Sequence, residues 1–103
     1  MNRRDALLQV IDALHDEIAA LKDNNVHGLE RATATKLAGI EAIAAAGTGP
    51  AGSDLRELAD EAHRLNETCR IYVNLMAANV RRRLQTLTGE SGAGYRPVLN
   101  AYA

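Results

Sequence analysis

The apolar residues between positions 55 and 87 constrain this chain more than any other feature. Leu55, Leu58, Ala62, Leu65, Cys69, Tyr72 and Met76 alternate at intervals of three and four, and Val80, Leu84 and Leu87 continue at four, four and three. That spacing keeps one stripe on one side of an α-helix, and the successive steps of four around Val80 let it follow the drift of a straight one. A helix over 53–88 is about 54 Å long. A globule of 103 residues cannot bury such an element. It has to lie antiparallel along the preceding helical segment, with leftover apolar surface covered by a further helix or another chain.

The preceding segment has the same character. Leu7, Ile11, Leu14, Ile18 and Leu21 are spaced four, three, four and three apart, with Asp12, Asp16, Glu17 and Lys22 mostly off that stripe. Asn24, Asn25 and Gly28 are poor helix residues, and either asparagine can cap a new helix. The apolar phase nevertheless carries on through Leu29, Ala32, Ile40 and Ile43, so one bent helix and two shorter ones both fit. Gly47-Thr48-Gly49-Pro50-Ala51-Gly52-Ser53 ends the helix near Ala46. Ser53 or Asp54 then caps the last helix, and Asp54 with Glu57 has capping-box spacing.

The expected fold is all-α, a long antiparallel helical hairpin or bundle of two to three helices. Residues 3–46 and 53–88 are helical, the turn lies at 47–52, and 1–88 form a single helical domain. Residues 89–103 form a flexible tail carrying Tyr95, Val98, Leu99 and Tyr102, a segment that either docks into a partner or folds back on its own bundle. Leu14, Ile18, Leu21, Ile40, Leu58, Leu65 and Leu84 are expected in the core. A two-layer hairpin of this length leaves apolar stripes uncovered, which predicts a homodimer when no other partner is present.

Several chemistries are poorly served by this sequence. Phe and Trp are absent while apolar residues make up 47% of the chain, a composition of packed helices rather than sheets. The net charge of −1 gives no global attraction to nucleic acid or membranes. Three consecutive arginines, Arg81 to Arg83, point in three directions and have no aromatic platform, so nucleic acid is not expected as a partner. His15, His27 and His63 have no second ligand at metal-binding spacing, and neither a metal nor another cofactor is expected. The single cysteine, Cys69, fits a reducing compartment. Acidic residues interrupt the N-terminal apolar stretch, which is not a signal peptide. No apolar run reaches the roughly 18 residues of a membrane span. The expectation is a cytoplasmic protein that is not an enzyme and does not insert into membranes. Ala62-His63-Arg64-Leu65-Asn66 resembles the core of histidine phosphotransfer domains, which makes His63 the catalytic alternative. Asn66 and Glu67 replace the Lys and Gly of that motif, and a carboxylate one turn away repels a phosphoryl group.

The order of residues along both helical segments is similar to the FlgN family of flagellar export chaperones. Glu17, Ala20-Leu21, Asp23-Asn24, Leu29 and Lys36 follow the family's early helix. Leu65-Asn66, Ile71 to Met76, Asn79, Leu84, Leu87 and Gly89 through Tyr95 follow its final helix and tail. Cys69 stands where the family has a second Asn, and Arg96-Pro97 where it has a glycine. The resemblance implies a cytoplasmic chaperone that holds hook-filament junction proteins unassembled and delivers them to the type III export apparatus. Such a protein would bind cargo along Tyr72, Val73, Met76, Val80, Leu84 and Leu87, and would dock to the export apparatus through Tyr95. A purely structural coiled-coil adaptor is the remaining alternative.

Overall fold

The computed structural model describes residues 1–89. Three α-helices account for nearly all of them: α1 (Arg3–Asp23), α2 (Val26–Ala45) and α3 (Ser53–Thr88). No strand occurs among the described residues. The chain divides into two compact units, Met1–Tyr72 and the stretch from Val73 onward.

In the first unit, α1 starts at Asn2, whose side-chain oxygen accepts the Asp5 N–H at 2.8 Å. The helix ends in a Schellman turn. Asn24 adopts a left-handed conformation with φ 57°, and its N–H and that of Asn25 return to the carbonyls of Leu21 and Ala20. Asn25 then caps α2, accepting the Gly28 N–H at 3.0 Å. The two asparagines divide the work, one closing α1 and the other opening α2, so the first helical segment is two helices. At the next junction Gly52 precedes the first turn of α3, its carbonyl accepting the Arg56 N–H at 3.1 Å. Ser53 is already helical, and the Asp54 carboxylate faces Arg4 at 3.4 Å instead of closing a capping box. Arg3 reaches over the linker and donates to the carbonyls of Gly49 and Pro50, at 2.8 and 3.2 Å.

Side-chain pairs fix the directions of the helices. Gln9 donates to the Thr35 carbonyl, Glu17 meets Thr33 and Lys36, and Gly39 lies against Ala6 and Val10, so α1 and α2 are antiparallel. Arg4 meets Asp54, Leu14 and Glu17 meet Cys69, and Lys22 lies over the Tyr72 ring. The 53–72 part of α3 is therefore parallel to α1. Placed between two neighbours, α1 is buried over a broad arc: Ala6, Val10, Ile11, Ala13, Leu14, Ala20 and Leu21. Leu14, 1% exposed, is its most enclosed large side chain.

The core differs from the expected one at particular positions. Leu14 and Leu21 are buried, and Ile18, Leu58 and Leu65 are half-buried. Ile40, however, is 46% exposed. The face that α2 turns to α1 runs through Ala32 and Gly39, both buried, and Ile40 is one helical step to the side. Leu84, expected in the core, is exposed as well. Glu17, expected mostly off the apolar stripe, is 4% exposed. Its carboxylate accepts the Thr33 hydroxyl at 2.7 Å and lies 3.1 Å from the Lys36 ammonium. Thr33 and Lys36 come from α2, so a buried acid joins the two helices with its hydrogen-bonding needs met.

Candidate functional site

The second unit contributes Val73–Thr88 of α3, followed by Gly89 at φ 57°, a conformation that suits a residue without a Cβ. A helix isolated in water normally shows an apolar stripe only where something covers it. Here the stripe is open. Val73, Val80, Leu84 and Leu87 are all exposed, Val80 to 55% and Leu87 to 83%, and Met76 is half-buried. Helical geometry at about 100° per residue places these five side chains within an arc of about 80°. Leu75, also exposed, lies outside that arc.

Of the sequence-derived cargo-binding residues, Val73, Met76, Val80, Leu84 and Leu87 thus share one face. Tyr72 belongs to the first unit, where it is half-buried with the Lys22 ammonium 5.8 Å from its ring centroid. Tyr95 lies outside the described residues.

The charge around the stripe is one-sided. From Thr68 to Gly89 the chain has no Asp or Glu, while Arg81, Arg82 and Arg83 are all exposed. Measured from the middle of the stripe, Arg83 lies about 60° to one side, Arg81 about 100° to the other, and Arg82 about 160° away, on the back of the helix. Two arginines flank the apolar strip and the third does not.

Groups able to do chemistry are placed unpromisingly. His63 is exposed, and one turn further on the Glu67 carboxylate is held by Arg70, with Nη2 at 2.9 Å. The Arg70 hydrogen bond and charge keep Glu67 ionised to below the usual carboxylate range, so its negative charge persists beside His63. The Cys69 thiol is buried between α1 and α3, 3.8 Å from Glu17. Burial pushes its pKa up, and the Glu17 charge adds to that, which is the opposite of an activated thiolate. Among the described residues no group of three or more His, Cys, Asp or Glu side chains is arranged to hold a metal ion, and no helix is long and apolar enough to cross a membrane. Asn79, Arg82, Arg83, Thr86 and Leu87 border an open hollow of about 540 Å³ that contains no carboxylate, imidazole or thiol.

What the arrangement can do is bind. An apolar stripe on a helix, flanked by cations, is the half of a helix-in-groove contact that awaits its other half. The sequence signal for it was the three-four spacing, but periodicity cannot tell a covered stripe from an open one. Comparison with protein-family models, characterised proteins and solved structures gives no match.

Proposed function

We propose that this chain is a cytoplasmic export chaperone of the FlgN type. It binds hook-filament junction proteins, prevents their premature assembly and delivers them to the flagellar type III export apparatus. The observation that carries the reading is the open stripe of Val73, Met76, Val80, Leu84 and Leu87 on the last part of α3. A cargo segment that is helical only in its filament leaves an apolar face needing cover while it waits, and a preformed helix can provide that cover without any catalysis. Full burial of a Val, Leu or Met side chain is worth roughly 1.5–3 kcal/mol. Partial burial of five such residues is sufficient for a contact that can be released when the cargo is handed on.

The similarity of the residue order to the FlgN family is the support for this cargo class, and the open stripe supplies a reason why a family member would look like this. Tyr95 is proposed as the contact with the export apparatus, set apart from the cargo face by Gly89 through Gly94. The test is titration calorimetry of the purified chain against a hook-filament junction protein. A stoichiometric complex is expected, weakened by Val80→Glu and Leu84→Glu. Absence of binding, with the chain folded and the cargo monomeric, would refute the reading. For Tyr95→Ala the expected outcome is unchanged helicity and cargo binding with reduced subunit export. Loss of cargo binding would instead move Tyr95 to the cargo face.

A further inference from the structure

The open stripe could be covered by a second copy of this chain or by a different protein, and the charge around it decides between them. Suppose two copies paired their α3 stripes in antiparallel fashion about Val80, the register that matches Val73 to Leu87 and Met76 to Leu84. Arg81 to Arg83 of one copy would then lie opposite residues 77–79 of the other, so the two arginine triplets would be centred about 6 Å apart along the axis. With the roughly 8–10 Å between packed helix axes, the triplet backbones are about 10–12 Å apart, and the long arginine side chains bring the charges closer to the Debye length of about 8 Å at physiological salt. Parallel pairing sets arginine against arginine directly. No carboxylate between Thr68 and Gly89 is available to relieve either arrangement. Like charges placed across a contact suppress the wrong partner.

We infer that the face formed by Val73, Met76, Val80, Leu84 and Leu87 selects an amphipathic helix whose apolar stripe is bordered by Asp or Glu side chains. Arg83 and Arg81 read those acids, and Arg82 does not take part. The inference rests on the reading of this face as a binding surface and adds to it the chemistry of the partner. Arg83, nearest the stripe, is the stronger reader, because its guanidinium can reach a carboxylate at the edge of a helix seated on the stripe, with bidentate geometry open to it. Arg81 catches acids on the opposite edge. Both arginines lie within about 5 Å of the stripe's midpoint along the axis, so the partner's acids are expected beside the middle of its stripe.

The experiment uses synthetic helical peptides of about 18 residues, carrying one Leu/Ile stripe bordered by Glu, by Gln or by Lys. Binding to the full chain is followed by fluorescence anisotropy at about 0.15 M and about 1 M salt. The Glu-bordered peptide is expected to bind on the order of tenfold more tightly than the Lys-bordered one at the lower salt, with the difference collapsing at the higher salt. Arg83→Glu should reverse the preference, Arg81→Glu should reduce it, and Arg82→Glu should leave it unchanged, circular dichroism verifying that each variant is equally helical. Equal affinity for the three peptides, or an effect of Arg82→Glu as large as that of Arg83→Glu, would overturn the inference. So would a homodimer in sedimentation that the Glu-bordered peptide disperses, since the face would then belong to a second copy. A hook-filament junction protein assayed alongside separates the two ideas. Binding of that protein undiminished by Arg83→Glu sinks the charge-reading proposal and leaves the chaperone reading standing. Glu-dependent peptide binding without binding of that protein does the reverse.

Discussion

Replacing Gly39 with alanine tests how closely α1 and α2 approach. In an ordinary helix interior the change stabilises by about 1 kcal/mol, because glycine has more backbone freedom to lose on folding. Here an added Cβ would sit 2.7 Å from Val10 Cγ2 and 3.3 Å from the Ala6 carbonyl oxygen. The valine cannot easily step aside. It is 6% exposed, and a β-branched side chain in a helix has one strongly preferred rotamer. Overpacking a tight contact costs about 1–3 kcal/mol, which exceeds the propensity gain over most of that range. Gly39→Ala should therefore destabilise the wild type by about 1 kcal/mol. In a Val10→Ala background the offending methyl is gone, and the same change should recover most of its propensity gain. The coupling between the two sites, read from urea unfolding of both single variants and the double, is expected at about 1–3 kcal/mol. Equal stabilisation by Gly39→Ala in both backgrounds would show that the helices do not approach closely at this position.

Leu14→Ala, at the most enclosed large side chain, should cost about 2–5 kcal/mol in the same assay, and a cost below that of a surface change would mean α1 is not the central helix. Asn25→Ala removes the cap of α2 and should cost about 0.5–2 kcal/mol, with no matching loss for Asn25→Ser. Leu84→Ala should leave stability within about 0.5 kcal/mol while weakening cargo binding; a large loss of stability would place Leu84 in a core after all. The raised pKa of Cys69 implies a pH dependence. The folded state keeps the thiol proton to a higher pH than the unfolded state does, so this contribution is complete below the unfolded value of about 8.5 and is lost as pH rises through the folded value. The melting temperature should fall more steeply above pH about 9 for the wild type than for Cys69→Ala, and parallel curves would remove the effect.

The helices were legible because each is written twice, in its apolar spacing and in its punctuation. The stripe from Leu7 to Leu21 and the glycine-rich break before Ser53 lie where the structure has a helix and a linker. Asn24 and Asn25 were ambiguous because the apolar phase runs straight across them, and only the left-handed backbone of Asn24 decides for two helices. Ile40 was misplaced for a physical reason: close helix packing rewards the smallest residue, so the seam of α2 passes through Gly39 rather than through the larger apolar side chain beside it. Glu17 was missed because burial of a carboxylate depends on partners sixteen and nineteen residues away in sequence. The open face of α3 was half legible. Its residues follow from periodicity, but its exposure follows from the absence of a covering element among the described residues.

The Asn24-Asn25 corner also has a kinetic consequence. Two helices joined by two residues meet after a short loop closure, whereas joining α3 to α1 requires the whole of α2 and the 46–52 linker to be spanned first. Contacts local in sequence form early. The α1–α2 pair is thus placed to nucleate folding. Changes at the corner should then slow folding, while changes where α3 meets α1, as at Cys69, should chiefly speed unfolding.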